Sequence, residues 1–345
     1  MNTPKILVAG PCAAESRAQL FATAKEISDL QIDSRFLEYA FFRCGIWKAR
    51  TNPDDFQGVG NAAFPWLQEI KKQFGFKICV EVASAGHVAL CLKNNIEAVW
   101  IGARTTVNPF LVQEIADAVQ GSSLTVFVKN PISPDINLWL GAIHRFQNAG
   151  IKNVIAVHRG FSIENENVYR NAPCWEIPVA LKMKLPNFLL LCDIAHIAGN
   201  VSLQQDVAQT ALNYGFNGLM VEVHHAPESA LSDGKQQLLP AQFEQLLKSL
   251  TFSTSGNLAD SALFIQRNLI KSIDIQMSKL LSKRMEVVDT IAAIKTKHAL
   301  PPLQPDQWKK VVSVYEENAL QDENYQQFLQ EFLLLLHRSS LRRQE

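Results

Sequence analysis

Four residues of different chemical kinds, Cys12, His196, Glu222 and Asp233, stand at or soon after the ends of short apolar runs. A thiolate, an imidazole and two carboxylates make a mixed sulfur, nitrogen and oxygen set, suited to a divalent transition ion such as Mn, Fe, Co or Zn. A cysteine after a strand is by itself most often a small buried hydrophobe; the three other donors give Cys12 its meaning. Ala9-Gly10-Pro11 can form a tight loop that aims the thiol inward. His224 and His225 read as supporting or surface residues. A second set is cationic: Arg43, Lys48, Arg50, Arg104, Lys129 and Arg159. Arginine offers a planar fork to phosphate or carboxylate, and lysine a compact point charge. Six cations gathered at one place would repel one another unless an anion lay among them. They imply a substrate, or a pair of substrates, carrying several negative charges, most simply phosphates.

The elements that position these residues are eight short apolar runs in the first 250 residues: Ile6–Ala9, Arg35–Tyr39, Phe76–Val80, Ala98–Ile101, Leu124–Val128, Asn153–Val157, Phe188–Leu191 and Gly218–Val221. Short buried strands alternating with helical stretches indicate a parallel sheet with crossover helices. Eight such units can close into a (β/α)8 TIM barrel, whose chemistry sits at the C-terminal ends of its strands. The first and last strands then become neighbours, which brings Cys12 beside Glu222 and Asp233.

The alternation stops after residue 250. Thr251-Phe-Ser-Thr-Ser-Gly-Asn257 reads as a small-polar linker. Residues 258–345 carry only helical spacing: one long helix from Leu258 to about His298, a second capped by Asp306 and ending near Glu317, and a third from about Glu323 with Phe328, Phe332, Leu335 and Leu336 as its apolar face. The domains are therefore expected at 1–250 and 258–345, joined by 251–257. The first tail helix would be about 60 Å long, too long to bury its stripe against two short helices, so a second copy of the chain is expected to cover it. Arg284 and Lys295 are eleven residues apart on that helix, about 20° of net rotation, and face one way. Arg267, seventeen residues before Arg284, lies roughly 100° around the helix and serves another surface. Ser340 and Gln344 share a face of the last helix.

Net charge is zero, and the hydrophobic fraction of 47% supports a full core. Nothing in bulk composition points to nucleic acid or a charged membrane surface. No apolar run reaches the roughly 18 residues of a membrane span, and the start lacks a signal-peptide pattern. The six cysteines form no CxxC pair and read as reduced thiols of a cytoplasmic protein.

The ordered segments Ala9-Gly-Pro-Cys-Ala-Ala-Glu-Ser16, Phe42-Arg-Cys-Gly-Ile-Trp-Lys-Ala-Arg-Thr51, Ile101-Gly-Ala-Arg104, Val128-Lys-Asn-Pro131, His158-Arg-Gly160 and Glu222-Val-His-His-Ala-Pro-Glu-Ser-Ala-Leu-Ser-Asp233 resemble 3-deoxy-D-arabino-heptulosonate 7-phosphate (DAHP) synthase, in its compact type I form. The likeness covers residues 4 to 250. It implies metal-dependent condensation of phosphoenolpyruvate with erythrose 4-phosphate. Cys12, His196, Glu222 and Asp233 then match the metal ligands. Arg43, Lys48, Arg104, Lys129 and Arg159 match positions that hold phosphoenolpyruvate, and Arg50 and Thr51 match the grip on the sugar phosphate. Lys48 is the candidate for proton transfer to the new hydroxyl, with a pKa expected to be lowered by neighbouring cations. Two departures are Ala49, where the family has proline, and Ala195, where it has serine beside the metal histidine. The rival within this chemistry is 3-deoxy-octulosonate 8-phosphate synthase, which uses arabinose 5-phosphate and toward which Ala49 leans.

The tail, through Leu263-Phe-Ile-Gln-Arg267, Ile273-Asp274, Lys279-Leu-Leu-Ser-Lys-Arg284, Ile294-Lys295 and Ser340-x-x-x-Gln344, resembles the all-helical chorismate mutase. The resemblance implies an intertwined homodimer, with further assembly left open, that converts chorismate to prephenate. Arg284 and a partner's Arg267 would bind the carboxylates, while Lys295 and Gln344 would donate to the ether oxygen. Gln304, Gln307 and Trp308 stand in a stretch where that family carries acidic residues. The alternatives are a tail that only senses and dimerises, with chorismate or prephenate acting back on the barrel, and a dead barrel that activates a partner.

Overall fold

The computed structural model describes residues 5–32, 36, 39–50, 52–164, 166, 168–251, 258–317 and 322–344. Eight parallel strands close into a barrel in sequence order: β1 Ile6–Gly10, β2 Tyr39–Cys44, β3 Lys77–Val82, β4 Ala98–Ile101, β5 Thr125–Lys129, β6 Val154–His158, β7 Leu190–Asp193 and β8 Gly218–Glu222. The last strand pairs with the first, Gly10 standing opposite Glu222. Between the strands run α1 Arg17–Ser28, α2 Ala63–Phe74, α3 Ala85–Lys93, α4 Ala103–Thr106, α5 Pro109–Val119, α6 Ile136–Asn148, α7 Glu176–Lys184, α8 Ile194–Ala198 and α9 Gln204–Asn213, with α10 Pro240–Ser249 after β8. The starts are written in the sequence: the side chains of Ser16, Ser84, Asn108 and Asp135 cap α1, α3, α5 and α6 by accepting from first-turn N–H groups.

Two apolar layers follow from strand periodicity. Residues pointing outward from the strands, such as Phe42, Val80, Val99, Val126, Ala156 and Leu219, pack under the helices. Residues pointing inward fill the barrel with Val8, Phe41, Cys79, Trp100, Phe127, Val157, Leu191 and Met220. The interior is a packed plug, as barrels of this size require. Strand β2 lies later than the expected Arg35–Tyr39, and residues 35, 37 and 38 fall outside the described residues. Tyr39-Ala-Phe-Phe-Arg-Cys44 pairs instead with β1 and β3, because its Phe41 is what the plug needs.

The tail holds α11 Leu258–Lys297, α12 Pro305–Glu317 and α13 Glu323–Arg342. Residues 252–257 of the expected linker lie outside the described residues. Chain contacts divide into two compact units, Met1–Leu269 and Ile270–Glu345. Asp306 sits inside the first turn of α12 rather than capping it, since Pro305 takes the first position, where a missing N–H costs nothing. The expected apolar face of α13 is met in part, at Leu336, which is buried, and Phe332, which is half-buried. Leu329, Leu333, Leu336 and Ser340 are buried, whereas Phe328 and Leu335 are 54% and 63% exposed. Spacings of four and three residues place the buried set on one side and leave Phe328 and Leu335 on another. Among the described residues no helix is long and apolar enough to cross a membrane, and all six cysteines are free thiols.

Gly218 marks the seam between β8 and β1. A Cβ there would run into the Ile6 carbonyl, a backbone group that cannot swing aside. Gly218→Ala is expected to lower the melting temperature of the full chain by about 3–10 °C, the effect of one overpacked methyl. An unchanged melting curve would mean that the seam is looser than this.

Candidate active site

The inward-facing positions do not stay apolar to the end. One step of two residues beyond the plug, Phe41 gives way to Arg43, Cys79 to Glu81, Phe127 to Lys129, Val157 to Arg159, Leu191 to Asp193 and Met220 to Glu222. A charged layer therefore caps the plug at the C-terminal ends of the strands. Its centre is Asp193, wholly buried. The carboxylate receives Lys129 Nζ at 2.7 Å, approaches His196 Nδ1 at 3.0 Å and lies 4.0 Å from Arg43 Nη1. Burial works to raise its pKa, but the positive side of His196 together with Lys129 and Arg43 holds it well below the usual carboxylate range. Arg43, also buried, lies 4.8 Å from the centre of the Trp100 ring and donates from Nη2 to Glu222 at 3.0 Å. Its Nε and Nη1 have no hydrogen-bond partner. Two of the cations thus balance charge inside the protein, which the expectation of mutual repulsion had not included.

The donor set meets in part. One atom each from Cys12, Glu222 and Asp233 lies within 4.8 Å of the others, the Cys12 thiol standing 3.3 Å from Asp233 Oδ2. His196, on α8, is adjacent, its Nδ1 3.8 Å from Glu222 Oε1, but does not join that group of three. Burial first, then the Glu222 charge, pushes the Cys12 thiol up to about 12. Burial works to raise the Glu222 and Asp233 pKa values, yet His196 and Arg43 bring Glu222 down, and Arg170 and His196 bring Asp233 down. Two ionised carboxylates beside a sulfur are a fitting site for a divalent cation, whose arrival would lower the thiol pKa. His224 is buried, with Nδ1 accepting from the Ala226 N–H, and His225 Nδ1 lies 3.3 Å from the Thr23 hydroxyl.

The remaining cations ring the mouth. Lys48 Nζ donates to the Cys12 carbonyl at 3.1 Å and to its sulfur at 3.2 Å. Its expected lowered pKa is corrected: burial does lower it, but Cys12, Glu81 and Glu222 outweigh burial and Arg43, and the pKa ends raised. Arg50 donates to the Phe56 carbonyl, closing its own loop, and Arg104 donates to Ala49 of that loop. Arg159 donates to Asn171 at 2.8 Å. Thr51 lies outside the described residues. Sequence reasoning passed over Asp193 as a functional group, although the alternation Leu191, Asp193 on an inward face was a usable signal. It also missed Asn130, Arg170, Asn171 and Gln236, which sit in loops where no periodicity marks them.

In the second unit Arg284 donates to the buried Ser340 hydroxyl at 2.8 Å, and Lys295 donates to Gln344 Oε1 at 2.7 Å. Two cations of α11 thus meet Ser340 of α13 and Gln344 just beyond its end. Arg267 is exposed on α11. Trp308 stacks on His337, ring centres 4.1 Å apart.

A closed parallel barrel with a buried charged layer and a thiol–carboxylate cluster at its mouth defines a (β/α)8 enzyme acting on anionic substrates. The sequence description of the DAHP synthetase I family matches residues 1–255, and the chain belongs to that family; residues 266–345 match chorismate mutase type II. The chain is 28% identical over 245 residues to a phospho-2-dehydro-3-deoxyheptonate aldolase of Thermotoga maritima, covering 71% of this chain and 68% of that one. It is 25% identical over 278 residues to a 2-dehydro-3-deoxyphosphooctonate aldolase of Helicobacter acinonychis, covering 72% and 95%. Among solved structures, the Thermotoga maritima DAHP synthase superposes with a TM-score of 0.62 at 27% identity, covering 72% of this chain and 68% of that one. A truncated form of the same enzyme gives 0.60 at 26% identity, covering 72% and 85%. The two family domains make the chain a bifunctional enzyme of the shikimate pathway, a DAHP synthase joined to a chorismate mutase.

Behind Arg159 lies His158, enclosed by Trp139, Phe161, Trp175 and Phe216. Neither ring nitrogen makes a well-formed hydrogen bond, and the Pro173 carbonyl opposes burial only weakly, so burial drives the pKa down to about 3. An unfolded histidine titrates near 6.5. The folded chain therefore refuses a proton that the unfolded chain accepts, and this stability is complete above about 6.5 and drains away as pH falls toward 3. Urea midpoints between pH 6.5 and 4.5 should fall, and His158→Phe should remove up to about 1.4 kcal/mol per pH unit of that slope. An unaltered slope would show His158 to be charged in the fold.

Proposed function

We propose that Cys12, Glu222 and Asp233, with His196, hold one divalent ion, and that the ring of cations holds phosphoenolpyruvate and erythrose 4-phosphate above it. The main support is the juxtaposition of the Cys12, Glu222 and Asp233 donor atoms beside the half-unpaired guanidinium of Arg43. The unpaired edge of Arg43, with Lys129, Arg104 and Arg159, binds phosphoenolpyruvate; Arg50 and Thr51 take the phosphate of the sugar. These side chains bring two anions together that would otherwise repel, which is positioning plus charge stabilisation. The ion supplies Lewis-acid polarisation of the aldehyde. C3 of phosphoenolpyruvate attacks that carbonyl carbon. The raised pKa keeps Lys48 an ammonium, so it acts as the acid that gives a proton to the new hydroxyl. Water then adds to C2 and phosphate departs, leaving DAHP.

The domains are assigned to 1–250 and 258–345, with 251–257 between them, in a cytoplasmic enzyme that needs neither nucleic acid nor membrane. In the tail, Arg284 and a partner copy's Arg267 bind the two carboxylates of chorismate. Ser340 orients Arg284, while Lys295 and Gln344 donate to the ether oxygen as its bond to carbon breaks. The rearrangement needs no proton transfer, only fixed charge. A homodimer accounts for the apolar residues left exposed along α11, including Ile270, Ile273, Leu280 and Ile294. A second reading, a tail that senses rather than catalyses, is favoured by Trp308 and its stack on His337 in the stretch where acidic residues are expected. In that reading prephenate or chorismate acts back on the barrel.

Phosphate release from phosphoenolpyruvate should require erythrose 4-phosphate rather than arabinose 5-phosphate, stop on chelation and return with added Mn2+. A preference for arabinose 5-phosphate would move the barrel to the octulosonate reaction. Lys48→Met should reduce kcat on the order of 10²–10³-fold. Arg284→Ala should abolish chorismate loss in the full chain while leaving phosphate release intact. If the unmutated chain consumes chorismate no faster than buffer, the sensor reading stands, and prephenate should then slow phosphate release.

A further inference from the structure

We infer that Arg170 is a positioning residue that holds both carboxylates of the metal site at once, Asp233 directly and Glu222 through Gln236. The inference rests on the metal-site reading above. Arg170, in the loop between β6 and α7, places Nη1 3.1 Å from Asp233 Oδ1 and donates from the same nitrogen to Gln236 Oε1 at 2.5 Å. The other end of the Gln236 amide donates to Glu222 Oε2 at 2.6 Å. Each carboxylate thus has one oxygen held from behind. The opposite oxygens face forward: Asp233 Oδ2 toward the Cys12 sulfur, and Glu222 Oε1 toward Arg43 and His196. A carboxylate held in this way offers a metal one oxygen in one direction.

Both ends of the relay are built to stay put. Gln236 is buried, and its carbonyl accepts from the Gln204 side chain at 2.6 Å. The Arg170 N–H donates to the Ile197 carbonyl at 3.0 Å, and the neighbouring Asn171 side chain donates to the His196 carbonyl at 2.7 Å. The segment that carries Arg170 is therefore docked on α8, the helix that carries His196. It fits there because residue 199 is glycine: a Cβ on Gly199 would stand 2.5 Å from the Arg170 Cβ. Asp233 itself has a left-handed backbone, φ 52°, which a residue other than glycine adopts at a cost unless its surroundings hold it. The Arg170 bridge and the Cys12 thiol are the restraints on its side chain.

Groups that orient metal ligands from behind typically change metal affinity 10–100-fold when removed. The test is Co2+ titration of the full-length chain stripped with chelator, read by the thiolate-to-cobalt absorption band, with melting curves recorded in parallel. Arg170→Met is expected to weaken Co2+ binding by about 10–100-fold, and Gln236→Met by a smaller factor. The double variant should lose little beyond Arg170→Met, because both lie on one chain of contacts. Gly199→Ala should reproduce part of the loss. Binding by Arg170→Met within about twofold of the unmutated chain, with melting unchanged, would overturn the inference. So would a higher KM for either substrate at unchanged Co2+ affinity, which would make Arg170 a substrate contact. If Arg170→Met does not fold, Gln236→Met decides, and unaltered affinity there overturns the relay. Absence of a thiolate band in the unmutated chain would instead overturn the metal-site reading, and the inference with it.

Discussion

A carboxylate buried away from water persists only if positive groups surround it, and Asp193 is such a carboxylate. Lys129 and Arg43 bring that charge from the ends of β5 and β2, and the His196 ring turns back onto the carboxylate from α8. Because these partners are themselves buried or nearly so, each depends on the carboxylate as much as it depends on them. Arg43 then reaches on to Glu222, so the network crosses the barrel from β7 to β2 and back to β8. The charged layer is in this sense one object. Removing any member leaves uncompensated charge in a place where water does not dissolve it.

This layer explains how a reactive mouth can sit on a hydrophobic plug. The side chains below it, Phe41, Trp100, Phe127, Leu191 and Met220, are large and closely packed. They give the cations a rigid apolar floor, on which the Arg43 guanidinium and the Lys129 ammonium lie over the Trp100 ring. Low dielectric there strengthens every charge interaction with an incoming anion. The same environment pushes the Cys12 thiol up to about 12, so the binding of a cation there would be coupled to loss of a proton.

Much of the barrel was legible because its strands are short apolar runs separated by helical spacing. Seven of the eight expected runs overlap the observed strands beyond a single residue, and β2 was misplaced because Arg35–Tyr39 and Tyr39–Cys44 are both plausible apolar stretches. The residues that bring chemistry to the mouth were legible by type. Their pairing was not: that Arg43 and Lys129 would be held by Glu222 and Asp193 depends on which inward positions face one another across the barrel, and no one-dimensional pattern states that. The loop residues Arg170 and Gln236 were invisible for the same reason. In the tail, helical arithmetic puts Arg284 and Lys295 on one face of α11 and Ser340 and Gln344 on one face of the last helix, and the two pairs do meet, whereas of the expected apolar face of α13 Leu336 is buried but Phe328 and Leu335 are exposed, because large apolar residues flank both sides of that helix.

The order of the strands has one more consequence. Cys12 follows the first strand, and Glu222 ends the last, and they become neighbours only through the β1–β8 pairing. A nascent chain leaving the ribosome therefore owns one donor of the cluster, Cys12, early on but cannot complete the set until some two hundred residues later. Any cation that the finished cluster accepts bridges the two edges of the sheet and acts as a clasp on the zipper, favouring the shut cylinder over the open ribbon by mass action.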